Sequence, residues 1–200
     1  VRVPFTLLQD NAFGLEGWLP NALGARIGRK QNQDFTTGAG TAGIPQGFVT
    51  GATTAVTAAS ATAITADELI DLTESVDPAY LAGDPVFTFS QTARGAFRKL
   101  KDSNGQYIWR PGLRDGEDDQ LLGYRYVVNN DMPALAATNK AVVFGDIAAG
   151  FLIRQVNGVA IRRLVERYAE YGQVAFLGFH RADSAVVDAS AFKALAMAAV

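Results

Sequence analysis

Phe97-Arg98-Lys99-Leu100-Lys101-Asp102-Ser103-Asn104-Gly105-Gln106-Tyr107 is the stretch whose reading decides the fold. Locally it is a helix end, a turn and an extended exit. Asn104 and Gly105 accept positive φ, so Asp102-Ser103-Asn104-Gly105 turns the chain. Upstream, Ala93, Ala96, Phe97 and Leu100 share a helical face, and Ser90 is placed to cap that helix. Val86-Phe87-Thr88-Phe89 before it reads as a short strand. Further upstream, Thr65-Ala66-Asp67-Glu68 has capping-box spacing. Leu69, Ile70, Leu72 and Val76 continue it as a helix that ends at Asp77-Pro78.

Residues 51–66 are an Ala/Thr tract, too poor in large side chains to build core, and read as loop or edge strand. Residues 33–50 are broken by Gly38, Gly40, Gly43, Pro45 and Gly47, which signals a loop. Residues 11–32 read as a helix: Leu15, Trp18, Leu19, Ala22, Leu23 and Ile27 form an apolar stripe, with Glu16, Arg26, Arg29 and Lys30 mostly off it. Pro20 fits the first turn of a helix and elsewhere marks a kink. Downstream of the deciding stretch, 111–120 is a polar, charged loop. Tyr124–Val128 and Ala141–Phe144 read as strands. The segment 151–182 has two readings. Ile161, Leu164, Val165 and Tyr168 have helical spacing, whereas Phe151-Leu152-Ile153, Val174–Phe179 and Gly172 between them fit a long hairpin better. Ala185-Val186-Val187 and Ala191–Met197 close the chain as strands.

Composition narrows the classes. An apolar content of 48% over 200 residues supports a sizeable core. The net charge of −2 is not that of a DNA-coating protein. With no cysteine, disulfides, thiolate metal sites and cysteine nucleophiles are excluded. No apolar run reaches the ~18 residues of a membrane span. Val1-Arg2-Val3-Pro4 is neither an initiator methionine nor a signal peptide, and the chain reads as a fragment or processed product.

Few motifs carry chemistry. Gly38-Ala39-Gly40-Thr41-Ala42-Gly43 matches G-x-G-x-x-G, but a dinucleotide site needs a strand before it and a helix after it. Here a helix precedes it and Pro45 follows, so a plain glycine turn is the expectation. His180 could complete a Ser-His-Asp arrangement with Asp183 or Asp188 and Ser184 or Ser190, yet nothing positions an oxyanion hole. A satisfied or solvated strand histidine is expected instead. Asp115, Glu117, Asp118 and Asp119 lack the alternate spacing of a calcium loop. They read as a solvated loop tip or as subunit contacts for nearby Arg110 and Arg114. Arg154, Arg162, Arg163 and Arg167 form a basic stripe interrupted by Glu166 and Glu170, which suggests salt bridges more than phosphate tracking. Trp18, Phe97, Phe144 and Phe176 are expected in the core.

Taken in order, the blocks resemble the major capsid proteins of tailed phages, the Hong Kong 97-type shell family. Leu7-Leu8-Gln9-Asp10 and the helix after it resemble the start of that family's spine helix. Gly38-Ala39-Gly40-Thr41 through Ile44-Pro45-Gln46-Gly47-Phe48 resembles its glycine-rich segment, which accounts for the dinucleotide-like match. Leu100 to Tyr107 resembles its lysine-aspartate-serine-x-glycine turn. Leu122-Gly123 with Asp131-Met132-Pro133, then Phe144-Gly145-Asp146, resembles the next blocks. Gly172-Gln173-Val174-Ala175-Phe176 with Arg181-Ala182-Asp183 resembles the last. The sequence departs from the family at Ala39, where aspartate is usual, and at Phe89-Ser90, where tryptophan is frequent. Nothing before Val1 corresponds to the family's N-terminal arm and extended loop. The covalent crosslink of some members is not carried over, since no asparagine stands near Tyr168–Gly172.

The resemblance implies an α+β fold with a peripheral domain (1–45 and 146–187, spine helix plus long hairpin) and an axial domain (46–145 and 188–200, mixed sheet with flanking helices). It implies a structural, non-enzymatic protein with no cofactor. Copies would form pentamers and hexamers of an icosahedral shell around double-stranded DNA, assembled in the bacterial cytoplasm with a scaffold, a maturation protease and a portal, and with no membrane. Expected subunit contacts are Arg110, Arg114, Asp115, Glu117, Asp118 and Asp119 near the capsomer axis, and Glu166, Arg167 and Glu170 at the hairpin tip. This chain alone is expected to be monomeric or weakly associated. An encapsulin-type compartment is the alternative within the fold. A phage adaptor and an NAD-dependent enzyme are alternatives of other classes.

Overall fold

The computed structural model describes residues 1–10, 14–102, 104–109 and 120–199. Its elements are β1 (Arg2–Pro4), α1 (Phe5–Gln9), α2 (Leu15–Thr37), α3 (Phe48–Gly51), β2 (Thr53–Thr57), α4 (Ala66–Glu74), α5 (Pro78–Leu81), β3 (Val86–Phe89) and α6 (Gln91–Phe97). Then follow β4 (Gln120–Leu121), β5 (Tyr124–Val128), β6 (Lys140–Gly145), α7 (Ile147–Gly150), β7 (Phe151–Leu164), β8 (Gln173–Val186) and β9 (Phe192–Ala196). The chain divides into two compact units: Val1–Gln33 with Ile153–Asp183, called here the hairpin unit, and Asp34–Leu152 with Ser184–Val200, the sheet unit.

In the hairpin unit β8 lies between β1 and β7. Alternate residues of β8 face opposite ways. Val174 and Phe176 are buried, while Leu177 and Phe179 are exposed. The buried face receives one row of α2 at four-residue intervals. Leu19 and Leu23 pack with Val174 and Phe176. Ile27 comes next, close enough that a Cβ on Gly178 would lie 3.3 Å from its Cδ1. Gln31 ends the row with its Nε2 2.8 Å from Nδ1 of His180. Four helical residues rise about 6 Å, and two strand residues rise about 6.6 Å. The two elements therefore stay in step, and each step of four along the helix meets a step of two along the strand.

The sheet unit is built on a mixed six-stranded sheet in the order β2-β9-β6-β3-β5-β4. β3 runs parallel to β5 and antiparallel to β6; β9 runs antiparallel to β6 and parallel to β2. Central strands are covered on both faces, which is why Ala141-Val142-Val143-Phe144 is continuously apolar. Val142, Phe144, Phe87, Phe89 and Leu195 face one core with Leu69 and Leu72 of α4 and Phe97 of α6. Val143, Phe192 and Ala194 face a second core with Phe48, Val49 and Met132. Aromatic contacts lock the first core: Phe87–Phe144 centroids are 4.4 Å apart, Phe89–Phe97 5.0 Å edge-on and Phe89–Tyr126 5.3 Å stacked.

Local chemistry sets the boundaries. Thr65 and Glu68 form the expected capping box, and Glu68 Oε1 also accepts the amide of Ala59 at 2.7 Å, tying the Ala/Thr tract to α4. Part of that tract is the edge strand β2. Ser90 caps α6 by accepting the Ala93 amide. Asp102 Oδ1 accepts the amides of Asn104 and Gln106, and Gly105 has φ +81°; Ser103 lies outside the described residues.

Several expectations need correction. α2 continues to Thr37, so the glycine loop starts at Gly38 rather than at residue 33. Pro20 stands in the helix interior, beyond the first turn, where it cannot donate to the Glu16 carbonyl. Trp18 is 61% exposed and not core; the row that faces β8 runs through Leu19, and Trp18 falls beside it. α4 ends at Glu74, and Asp77 caps a separate short helix, α5, instead of ending α4. β8 closes at Val186, one residue short of Val187. The helical spacing at 160–169 is not a helix: β7 runs to Leu164. Asn157 and Gly158, at φ +56° and +61°, interrupt the two-residue alternation of β7, so its half-buried residues (151, 156, 161 and 164) are irregularly spaced.

Phe89→Ala is expected to lower unfolding free energy by roughly 3–5 kcal/mol. Trp18→Ala is expected to change it by about 0.5 kcal/mol or less. Urea denaturation of both variants checks the pair, and equal losses would contradict the placement of Trp18.

Candidate assembly surface

Glu166, Arg167 and Glu170 share the turn that joins β7 to β8, and all three are exposed. The turn is closed by its own backbone. Ala169 N–H donates to Glu166 at 3.2 Å, Tyr171 N–H to Tyr168 at 3.1 Å, and Gln173 N–H also to Tyr168 at 3.1 Å. Gly172, at φ +61°, lets the chain re-enter β8. From outside the turn, Phe5 N–H donates to the Gly172 carbonyl at 2.8 Å, and β1 pairs Val3 with Val174. The half-buried Tyr168 ring takes Arg2 at 5.2 Å and Arg167 at 5.8 Å from its centroid. Each such contact contributes about 0.5–1 kcal/mol at an exposed site. Tyr171 at 68% exposure and Val165 at 43% add apolar surface beside the charges. The result is a fixed projection with mixed charge and apolar contact area, a shape suited to meeting another macromolecule.

Arg110, Arg114, Asp115, Glu117, Asp118 and Asp119 lie outside the described residues. Within the basic stripe, Arg163 pairs with Glu16 at 2.9 Å, both about half exposed, an ion pair worth roughly 0–1 kcal/mol. Within the hypothetical hydrolytic arrangement Asp188 and Ser190 bond to each other, while His180 and Ser184 are bonded elsewhere. His180 is bonded to Gln31. Ser184 is buried and donates to the Gln46 carbonyl at 2.8 Å. Asp188 accepts from Ser190 Oγ and, at 2.5 Å, from the Tyr80 hydroxyl. The G-x-G-x-x-G run follows α2 rather than a strand, and the next element is the four-residue α3. Its glycines serve close packing: a Cβ on Gly38 would lie 2.2 Å from the Pro45 carbonyl oxygen, and one on Gly47 2.4 Å from that of Thr36.

Two clusters escaped the sequence reading. Asp188-Ala189-Ser190 is a local turn, with Ser190 N–H donating to Asp188 Oδ1 at 2.8 Å, and that spacing is legible. Tyr80, far away in sequence, is not. The bonds from Ser190 and then from Tyr80 hold the Asp188 carboxyl at about 2, and the same bond to Asp188 raises the Tyr80 hydroxyl. Lys140 donates to the carbonyls of Ala52 at 2.7 Å and Thr50 at 3.2 Å, and burial lowers its pKa. It ties the start of β6 to the end of α3.

Among the described residues no group of three or more His, Asp or Glu could hold a metal ion, and no helix is long and apolar enough to cross a membrane.

A family comparison interprets this arrangement. The model of the phage capsid family matches residues 1–197, so the chain belongs to that family. The capsid of the GTA particle superposes on it in both empty and native forms, at 29% and 28% identity and TM-scores of 0.89 and 0.90. Each match covers all of this chain and 71% of the other. A Mycobacterium phage Adephagia chain, 17% identical, matches with a TM-score of 0.73 over all of this chain and 70% of its own length. An encapsulin complex from Synechococcus elongatus, 14% identical, matches at 0.68 over 98% of this chain and 71% of the other. These last two share the fold alone. A comparison with curated proteins finds no match. The fold is thus the Hong Kong 97 type, and the protein is a major capsid protein, a structural component that assembles with copies of itself.

The Asp188 bonds give a pH test. A carboxyl lowered from 3.8 to about 2 stabilises the fold fully above pH 3.8, and the effect is lost as pH falls toward 2. The difference in urea midpoint between the wild type and Asp188→Asn should therefore be largest above pH 4 and shrink toward pH 2. A difference that stays constant with pH would contradict it.

Proposed function

We propose that this chain is the shell subunit of a tailed phage or prophage. Its copies form pentamers and hexamers that close into an icosahedral capsid around double-stranded DNA. The observation that carries the reading is the continuous match to a capsid family over residues 1–197, with the GTA capsid at a TM-score of 0.89 along the full chain. A closed shell asks one surface to meet itself in several nearly equivalent settings. That task favours a rigid body with interfaces summed over many modest contacts over one deep site. The exposed, internally braced tip of the hairpin unit suits it.

In this reading the hairpin unit forms the greater part of a peripheral domain spanning 1–45 and 146–187, and the sheet unit the greater part of an axial domain. Glu166, Arg167 and Glu170 meet neighbouring copies at three-fold positions. Arg110 and Arg114 pair with Asp115, Glu117, Asp118 and Asp119 of neighbours near the capsomer axis. Assembly takes place in the bacterial cytoplasm with a scaffold, a maturation protease and a portal.

Arg167→Glu tests the tip. Sedimentation velocity on the protein expressed with the sequence that flanks it in its gene should show shell-sized particles for the wild type and a large shift to small species for Arg167→Glu. Intact shells from the variant would remove the tip from the interface. Small species from both proteins would count against the shell reading itself.

A further inference from the structure

One stretch of the β8 edge is left open by its neighbours. In an antiparallel ladder the N–H and C=O of a residue point to the same side, and successive residues alternate. Val1 and Phe176 exchange both bonds: the Phe176 N–H donates to the Val1 carbonyl at 2.8 Å, and the Val1 amino group donates to the Phe176 carbonyl at 3.0 Å. Val3 stands opposite Val174, and the Phe5 N–H donates to Gly172. Even-numbered residues of β8 therefore turn their backbone groups toward β1, and odd-numbered ones toward β7. Pro4 fits this parity, since opposite Gln173 its missing N–H faces away from β8. Further along, the Ser184 carbonyl accepts the Gln46 amide at 3.1 Å. Gly178, His180 and Ala182 come between. Among the described residues no group bonds to their N–H and C=O on that side.

We propose that the residues encoded immediately before Val1 continue β1 as a strand along this edge, pairing with Leu177 to Ala182. The inference concerns the hairpin unit alone. It goes beyond the capsid reading and holds whether or not copies close into shells.

Three observations select this occupant. First, the ladder is intact at Val1, so the preceding residues need no turn to stay on the edge. The first falls opposite Leu177, the second opposite Gly178 and the sixth opposite Ala182. Residues tethered at the start of the edge reach it at high effective concentration, whereas a strand of another copy must first lose its translational freedom. The GTA capsid chains, of which this chain spans 71%, have further length from which such a strand can come. Second, Leu177-Gly178-Phe179-His180 holds no proline and no Lys, Arg, Asp or Glu, the residues that blunt an edge against pairing. Third, Leu177 and Phe179 are 50% and 59% exposed, and side chains directly opposite on a neighbouring strand would pack on them.

The register also fixes what the added residues must be. The first and third before Val1 share the open face with Leu177 and Phe179 and should be apolar or β-branched. Charged residues at both would count against the proposal. The second and fourth bond to Gly178 and His180 and need their N–H, so a proline encoded at either would overturn it.

The test is amide hydrogen exchange, read residue by residue by NMR. It compares this chain with the same chain preceded by about ten of its encoded upstream residues, enough to reach Ala182 at ~3.3 Å each. In the extended protein the amides of Gly178, His180 and Ala182 should exchange about tenfold more slowly, as open amides that gain a ladder partner. Those of Leu177, Phe179 and Arg181 face β7 and should be slow in both proteins. The slowing should be independent of protein concentration. Equal exchange of the even-numbered amides in the two proteins, or slow exchange already in the shorter one, would overturn the proposal. Slowing that grows with protein concentration would assign the edge to a strand of another copy and overturn it too. Faster exchange at the odd-numbered amides of the extended protein would show that the upstream residues displace the hairpin instead of extending its sheet, which also contradicts it.

Discussion

The hairpin unit depends on a match of lengths between helix and strand. Four residues of α2 rise about 6 Å while two of β8 rise about 6.6 Å, so Leu19, Leu23, Ile27 and Gln31 find successive partners on one face of the strand. The match fixes which side of the helix is buried. It thereby fixes where every other side chain of α2 stands, including the exposed Trp18. It also gives the long hairpin a stiff backing in a unit with a small core: among the described residues Val3, Leu19, Val174 and Phe176 form its buried cluster. A two-stranded hairpin is marginal in water by itself. Here a third strand, β1, and a 23-residue helix brace it.

The sheet unit solves a different problem. Its central strands are buried on both faces, so its cores are built on Phe87, Phe89, Phe144, Phe192 and their neighbours. Polar devices then hold the chain ends of its elements: Lys140 on the carbonyls after α3, Glu68 on the Ala/Thr tract, and Tyr80 with Ser190 on Asp188. These polar groups hold backbone segments of the unit in place.

Legibility in the sequence followed the range of the interaction. Elements set by local rules were readable: the Thr65–Glu68 capping box, the Ser90 cap, the Asp102–Gly105 turn, and strands with continuous apolar runs. Elements set by tertiary context were not. Trp18 fits an apolar stripe by spacing, but the line along which α2 meets β8 follows the four-residue row through Leu19 and leaves it in solvent. Residues 160–169 carry a helical period by spacing, but Phe151–Leu164 is a strand that pairs with β8. Tyr80 and Asp188, or Gln31 and His180, are too distant in sequence for any pattern to pair. The family was legible because its blocks keep their order, although each alone is short.

The most direct measurement is electron microscopy of the particles formed when this chain is expressed with its flanking native sequence. The capsid reading predicts closed icosahedral shells with five-fold and six-fold capsomers, into whose subunit density the fold described here fits along its whole length. Open rings or tubes with no closed shells, or discrete monomers under all conditions, would contradict it and return the adaptor and enzyme readings to consideration.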